Sequence, residues 1–285
     1  MGRKVAVLLT SYSFMKYIDI NHEQIPALGL GTYKLKGSTC QDAIVDAIEI
    51  GYRHIDTARM YENEQDIGQG IRNSGIDRDE LFITTKIWYT DLVRTNVLNA
   101  ANDSLRKLQT SYVNLLLIHW PSDEVPLKET LEALMEVQKQ GKARLIGVSN
   151  FPPSLLKKAF ELAPVVCNQV EYHPYLGQSA LINMVREHHA MLTAYSPIAQ
   201  GGVNEDATLQ AIGKQYGKTP SQVALRWLVQ QDNVAAIPRT SSHEHRVSNF
   251  DIFDFALTDD EMEKIHALSR RERLVNPHWA PVWDE

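Results

Sequence analysis

The chain has 285 residues, of which 44% are hydrophobic and 22% are charged, and its net charge is −6. The hydrophobic share is large enough for a sizeable core, which excludes disordered and fibrous classes of protein. The mild acidity, with no block of Lys and Arg, argues against a nucleic-acid partner, and no apolar run of 18 residues predicts a membrane span. The composition therefore indicates a soluble globular protein.

The cysteines and the first residues bear on where the protein works. Cys40 and Cys167 can form neither a disulfide framework nor a zinc site by spacing, so we expect reduced thiols in a cytoplasmic protein. Residues 1–14 hold a five-residue apolar run after two basic residues, too short for a signal peptide and without a cleavage site. We expect residues 1–14 to be an upstream extension without a structural role. Residues 15–285 are expected to form one domain.

Eight apolar, β-branched runs alternate along the chain with longer amphipathic segments. The predicted strands cover residues 27–32, 54–58, 81–86, 113–119, 143–149, 165–171, 191–197 and 234–239. The predicted helices cover residues 40–50, 63–74, 94–108, 127–140, 154–162, 180–188, 207–216 and 221–230. Strands that are apolar throughout and alternate with helices are typical of a parallel sheet covered by helices. Eight such units indicate an α/β fold, a single-domain (β/α)8 TIM barrel.

Segments at the two ends of the chain complete the predicted barrel. Residues 17–25 favour a hairpin that closes the barrel floor. Thr258, followed by three acidic residues, is typical of an N-cap and first turn of a late helix. Residues 270–285 are rich in Arg, Trp and Pro and lack a helical period, so we expect an ordered C-terminal loop.

Chemically useful side chains end three adjacent predicted strands. Asp56, Lys86 and His119 are separated by 30 and 33 residues, about one βα unit each. Because the carboxyl ends of barrel strands meet on one face, these side chains are expected to share a pocket. Tyr61 follows Asp56 by five residues, on a loop that can fold over the same face.

These four residue types together suit proton donation to an oxygen atom. The pKa of a free tyrosine is about 10, and a neighbouring Lys86 ammonium is expected to lower it by stabilising the phenolate. Asp56 would hold that ammonium charged, and His119 could hydrogen-bond a substrate oxygen. General acid catalysis of this kind contributes about 10²–10⁴-fold to a rate. Each residue alone is more often an ion pair or a packed side chain, so the prediction depends on the set.

Six motifs occur in the order and with the spacing of a known family. They are GYRHIDTA at 51–58, YENE at 61–64, TTKIW at 84–88, LIHWP at 117–121, GVSNF at 147–151 and NQVE at 168–171. From about residue 17 onward the chain resembles the aldo-keto reductases. The resemblance implies a catalytic tetrad of Asp56, Tyr61, Lys86 and His119, with Tyr61 as the proton donor.

The resemblance also implies NADP(H) as the cofactor, bound without a Rossmann fold. The sequence agrees on the second point, because its glycine pairs lack the third glycine of that fold's fingerprint. Ser149, Asn150 and Gln169 would hydrogen-bond the nicotinamide amide, and Tyr195 would stack on its ring. The other residues implied at the cofactor are Gly31, Thr32, Tyr33, Asp56, Ser196, Pro197, Ile198, Gln200, Ile237, Pro238, Arg239, Thr240, Arg246 and Asn249.

The segment implied to bind the 2′-phosphate departs from the family pattern. The family commonly has Pro-Lys-Ser with an Arg six residues after the Lys, whereas this chain has Pro-Arg-Thr at 238–240 and His245 at the later position. Arg239 can still make a bidentate phosphate contact, and Arg246 could replace the displaced arginine. We expect a preference for NADPH that is less strict than usual; the alternative is a solvated basic loop.

Aromatic residues beside the tetrad and in the tail match the places where the family builds its substrate pocket. The implied substrate-binding residues are Tyr33, Trp88, His119, Trp120 and Trp279. Such a pocket suits aldehydes, α-keto aldehydes and diketones, although Trp279 and Trp283 could equally anchor the tail. The tail motifs RLVNP at 273–277 and APVWD at 280–284 resemble the branch of the family that reduces 2,5-diketo-D-gluconate and methylglyoxal.

Three functions compete at this point. The first is an NADPH-dependent reductase of small-molecule carbonyls, monomeric as the family usually is, with no nucleic-acid or membrane partner. The second is a nucleotide-binding regulatory barrel with little or no turnover, which a missing tetrad residue would favour. The third is a (β/α)8 isomerase or lyase that binds no nucleotide. The complete tetrad, together with Tyr195, Arg239 and Asn249, favours the first.

Overall fold

The computed structural model describes residues 15–284, so the hypothesis about residues 1–14 lies outside the described part of the chain. The described chain opens with β1 (Tyr17–Ile20) and β2 (Glu23–Pro26), which pair antiparallel. The two residues between them, at 21 and 22, have positive φ, as a tight hairpin turn requires. The predicted hairpin is present.

Eight parallel strands form the second sheet. They are β3 (Leu30–Gly31), β4 (His54–Asp56), β5 (Phe82–Ile87), β6 (Val113–Ile118), β7 (Ala143–Ser149), β8 (Cys167–Glu171), β9 (Met191–Tyr195) and β10 (Val234–Ala236). Each strand pairs with the next one along the chain. Parallel bridges from Leu28 to Ala236 and from Gly31 to Arg239 also bring the first and last strands together. This curled sheet with its helices is consistent with the predicted (β/α)8 fold.

One α-helix follows each of β3 to β8, and two α-helices follow each of β9 and β10. They are α1 (Gly37–Ile50), α2 (Glu64–Ser74), α3 (Arg94–Leu108), α4 (Leu127–Lys139), α5 (Pro153–Leu162), α6 (Ser179–Glu187), α7 (Ala207–Tyr216), α8 (Pro220–Gln230), α9 (His243–Phe250) and α10 (Asp259–His266). The N-cap prediction for Thr258 is confirmed, since its hydroxyl accepts from Glu261 N. Within residues 15–284, no helix is long and apolar enough to cross a membrane.

The amphipathic pattern of the helices explains how they cover the sheet. In α1 the buried residues recur at helical spacing, at positions 40, 43, 44, 47 and 48. The strands between the helices are buried almost throughout, β5 and β6 over their full length. Side chains at the carboxyl ends of the strands therefore start from a rigid, close-packed base.

The hairpin lies at the opposite end of the strands from these side chains. His54, the first residue of β4, donates from Nδ1 to Pro26 O at 3.2 Å. Arg144, near the start of β7, pairs with Glu23 at 3.4 Å. The contacts place the hairpin at the amino ends of the strands, the floor expected from the sequence, and leave the carboxyl ends for a site.

The C-terminal tail, residues 270–284, contains neither helix nor strand. Arg270 N and Glu272 N donate to Tyr175 O at 3.1 and 3.0 Å, which attaches the tail to the loop after β8. The predicted ordered loop is confirmed.

Candidate active site

A buried ion pair joins the carboxyl ends of β4 and β5. Lys86 Nζ donates to Asp56 Oδ1 at 2.5 Å and to Thr57 O at 2.8 Å. Gln169 Nε2, from β8, donates to the other Asp56 oxygen at 2.7 Å. Burial lowers the pKa of Lys86 and the Asp56 charge opposes that shift. The ammonium is thus held at a fixed point among groups that water does not reach.

Tyr61 lies above this pair. It ends the short 3-10 helix Arg59–Tyr61, and the next residue, Glu62, turns the chain with a φ of 53°. Lys86 Nζ lies 5.1 Å from the centroid of the Tyr61 ring. The ring of Tyr33 lies 5.0 Å away and that of His119 5.6 Å away, so the phenol stands between two predicted site residues.

The expectation that Lys86 lowers the pKa of Tyr61 is wrong for this structure. Burial removes the water that would solvate a phenolate, and the negative charge of Asp56 adds to the effect, so the pKa of Tyr61 is raised well above its usual value. The Lys86 ammonium is already paired with Asp56 and does not reverse this shift. Tyr61 therefore keeps its proton at neutral pH and has it available to donate.

His119 follows β6 directly and is almost fully buried. Burial and the nearby Lys86 charge lower the pKa of its ring well below the usual value, so the imidazole is neutral. The Nδ1 atom is buried and has no hydrogen-bond partner among residues 15–284.

Four residues predicted at the nicotinamide form one hydrogen-bonded cluster beside the tetrad. Ser149 Oγ donates to Gln169 O at 2.8 Å, and Asn150 Nδ2 donates to His119 O at 2.9 Å. Tyr195 OH donates to Asn150 Oδ1 at 2.8 Å, which fixes the ring of Tyr195 at the end of β9. Asn150 adopts a φ of 63°, a left-handed conformation that asparagine tolerates well.

The loops after β3 and β10 meet at the edge of the site. Gly31 N donates to Pro238 O at 3.0 Å, and a Cβ at Gly31 would stand 2.7 Å from Ile237 O. Arg239 Nε donates to Tyr33 O at 2.7 Å, and Thr32 Oγ1 donates to an Asp56 backbone oxygen. The remaining predicted cofactor residues on the loop after β9 are Ser196, Pro197, Ile198 and Gln200, of which the first and last have positive φ.

The basic residues of the predicted phosphate segment are not equally accessible. Arg239 and His245 are exposed, whereas Arg246 is 5% exposed and its Nε donates to Asp46 at 2.5 Å. His243 Nδ1 contacts the same carboxylate at 2.6 Å. Arg246 is thus already paired with an acid. The other two predicted residues are also buried: Thr240 lies in the loop before α9, and Asn249 lies within α9.

Aromatic side chains form a wall beside His119. Trp88 lies edge-on to the His119 ring at 5.0 Å, and Trp279 from the tail lies 6.1 Å from Trp88. Tyr89, which the sequence analysis did not single out, stacks on Trp279 at 5.6 Å; its position next to Trp88 was the available signal. Trp120 is buried and contacts Trp283 at 6.3 Å.

The comparisons with known proteins agree with this site. The aldo/keto reductase family matches residues 27–270. The glyoxal reductase of Bacillus subtilis is 42% identical over 259 residues, covering 89% of this chain and 92% of that protein. Methylglyoxal reductase DkgB of Salmonella typhi is 39% identical over 266 residues, covering 91% and 99%. The chain belongs to the aldo/keto reductase family, whose members are oxidoreductases that use NAD(P)H.

Solved structures show the same relationship. A crystal structure provisionally named 2,5-diketo-D-gluconic acid reductase B has a TM-score of 0.93 at 43% identity, covering 96% of this chain and 99% of that one. The Bombyx mori aldo-keto reductase, solved in complex with NADP, has a TM-score of 0.85 at 32% identity, covering 92% and 95%. The family resemblance inferred from the motifs is confirmed.

Proposed function

We propose that this protein reduces small aldehydes and ketones to alcohols with NADPH, with α-dicarbonyls such as methylglyoxal, or 2,5-diketo-D-gluconate, as its substrate class. The observation that carries the proposal is the placement of a proton-holding Tyr61 beside a neutral, buried His119 and above the Lys86–Asp56 pair. The names of the related reductases support the substrate class. The bridges between β3 and β10 support a closed (β/α)8 barrel as the scaffold.

The residues present fit a nicotinamide cofactor. A hydroxyl and two side-chain amides, from Ser149, Asn150 and Gln169, complement the donors and acceptors of a carboxamide. Tyr195 is partly exposed at the end of β9 and stacks on no aromatic ring among residues 15–284, so its ring is available to a ligand. Bound there, NADPH supplies the hydride. We assign the exposed Arg239 to the adenosine phosphate end of the site.

The side chains of the tetrad divide the proton chemistry among them. His119, neutral because it is buried, orients the carbonyl oxygen by a hydrogen bond. Tyr61 then donates its proton to that oxygen, and the Lys86 ammonium stabilises the phenolate that remains. Asp56 keeps the ammonium in place. Because the group is buried, these electrostatic interactions are stronger than they would be in water.

Replacing Tyr61 with Phe tests the proposal. We expect NADPH-dependent reduction of methylglyoxal by the unaltered protein, measured as loss of NADPH absorbance, and a fall in kcat of about 10²–10⁴-fold in Tyr61→Phe. The Kd for NADPH, measured by fluorescence, should change little because only the transferable proton is removed. Tyr112→Phe is the matched control and should leave kcat unchanged, since it removes a phenol hydroxyl just before β6, at the opposite end of the strands, where its ring lies between Arg78 and Arg144.

Two results would count against the proposal. Full turnover by Tyr61→Phe would exclude it as the proton donor. Tight NADPH binding by the unaltered protein, with no turnover of methylglyoxal or 2,5-diketo-D-gluconate, would favour the regulatory-barrel alternative.

A further inference from the structure

Glu171, the last residue of β8, is a fully buried carboxylate outside the tetrad. Its Oε1 accepts from Leu274 N at 2.7 Å and lies 2.9 Å from His173 Nε2. Its Oε2 accepts from Val275 N at 2.9 Å. A buried charge is costly unless it is hydrogen-bonded, and two of these three bonds come from the backbone of the C-terminal tail.

The barrel side of Glu171 is firmly held next to the proposed nicotinamide site. Gln178 Nε2 donates to Glu171 O at 2.8 Å. In the sheet, Glu171 is in register with Tyr195, whose hydroxyl bonds to Asn150. Asn150 in turn donates to the backbone oxygen of His119. The carboxylate therefore has a fixed position relative to the reacting groups.

The tail side leads to the aromatic wall. Trp279 is four residues beyond Val275, and its ring contacts Trp88 and Tyr89. Because the tail has neither helix nor strand, its path between these points depends on contacts with the barrel. The two bonds to Glu171 are the point at which the tail is tied to the end of a barrel strand before it reaches Trp279.

We propose that Glu171 is a positioning residue that sets the substrate preference by holding the tail so that Trp279 stands against Trp88. This inference rests on the proposed function, because it takes the space beside His119 as the carbonyl pocket. A bulky aromatic carbonyl depends on the Trp279 wall for contact area, whereas a three-carbon dicarbonyl depends on it little. Loss of the bonds from the tail to Glu171 should therefore raise the KM for a bulky aromatic carbonyl more than the KM for a three-carbon dicarbonyl.

Glu171→Gln tests the assignment with little change of shape. The amide nitrogen cannot accept a hydrogen bond, so at least one tail N–H loses its partner. We expect the KM for phenylglyoxal to rise about tenfold, equal to about 1.4 kcal/mol, while kcat and KM for methylglyoxal stay within about twofold. Trp279→Ala should likewise raise the KM for phenylglyoxal. Glu272→Gln, a tail carboxylate paired with Arg270 at the surface, is the matched control and should change neither value.

A second measurement, hydrogen exchange, tests whether the tail amides are bonded to Glu171 and does not rely on turnover. In hydrogen exchange of the full chain, the amides of Leu274 and Val275 should be protected in the unaltered protein and exchange faster in Glu171→Gln. If that variant does not fold, Leu274→Pro removes one donor from the tail side and should produce the same selective rise in KM.

Three outcomes would overturn the inference. They are unchanged exchange at the two amides, an unchanged KM for phenylglyoxal, and an equal loss with both substrates, which would indicate a general structural role. A protein that reduces neither carbonyl would instead contradict the proposed function, while the exchange measurement would still decide whether Glu171 holds the tail.

Discussion

Asp46, on α1, contacts two basic residues in the segment proposed to bind the cofactor phosphate. Its two carboxylate oxygens lie 2.5 Å from Arg246 Nε and 2.6 Å from His243 Nδ1. A guanidinium that is already paired offers less attraction to a phosphate, and the Asp46 charge itself repels one. Of the predicted cofactor cations, the exposed Arg239 is left for phosphate recognition.

Removing that carboxylate should sharpen the choice of cofactor. In Asp46→Asn we expect the ratio of the Kd for NADH to the Kd for NADPH to rise about fivefold, corresponding to about 1 kcal/mol. Fluorescence titration with both cofactors measures the ratio. Asp42→Asn, one turn earlier on the same helix and exposed, removes the same charge without touching Arg246. Equal ratios in the two variants would contradict the prediction.

Residue spacing predicted the meeting of the tetrad because Asp56, Lys86 and His119 lie at the carboxyl ends of neighbouring barrel strands, and Tyr61 lies on the loop after Asp56. The direction of the pKa shift of Tyr61 could not be predicted in the same way, because burial decides it and spacing does not report burial. The ion-pair partner of Arg246 could not be predicted from the sequence either. Asp46 lies 200 residues earlier in the chain, and only the packing of α9 near α1 brings the two together.

At the scale of the elements, α2 carries the Tyr61 loop on its amino-terminal side and packs closely on the end of α3. A Cβ at Gly68 would lie 2.7 Å from the backbone carbonyl groups of Lys107 and Leu108. These are backbone atoms, which cannot rotate away as the tip of a side chain can. The glycine is therefore required by the distance between the two helices.

Gly68→Ala should destabilise the fold. Overpacking of this kind costs about 1–3 kcal/mol, more than the gain in helix propensity of about 1 kcal/mol that alanine brings. Unfolding in urea, followed by circular dichroism, should show a free energy of unfolding lower by up to about 2 kcal/mol, the overpacking cost less the gain in helix propensity. Gln65→Ala, at an exposed position of the same helix, is the control. A Gly68→Ala protein as stable as the control would show that the helices can move apart without cost.

The order and type of the elements could be predicted from periodicity, but their ends could not. The predicted strand at 234–239 is continuous only over Val234–Ala236, because Pro238 has no N–H to donate, and beyond it Arg239 forms only an isolated bridge to Gly31. The short helix α9 was missed since its eight residues are mostly polar; Ser242, whose hydroxyl accepts from His245 N, was its one sequence signal.

At the scale of the whole molecule, the two ends of the sheet differ in role: the amino ends contribute to stability and the carboxyl ends carry the proposed chemistry. The hairpin and His54 occupy the amino ends of the strands, and the tetrad and the tail occupy the carboxyl ends. Changes on the floor should therefore alter stability with little effect on the chemistry. The sequence predicted this division, while the tie between Glu171 and the tail emerged only when the ends of distant elements were brought together.

Two buried histidines should make the stability of the whole fold depend on pH. Burial lowers the pKa of both His54 and His119, so they stay neutral in the folded chain at pH values where the unfolded chain is protonated. The unfolded state then binds more protons, and stability falls as the pH drops below about 6.5, by up to about 1.4 kcal/mol per pH unit for each histidine. We expect the free energy of unfolding in urea to decrease between about pH 7 and pH 5.5, with a shallower slope in His54→Gln than in the unaltered protein. The exposed His245→Gln is the control and should keep the full slope; if His54→Gln keeps it as well, His54 does not carry the proton linkage assigned to it.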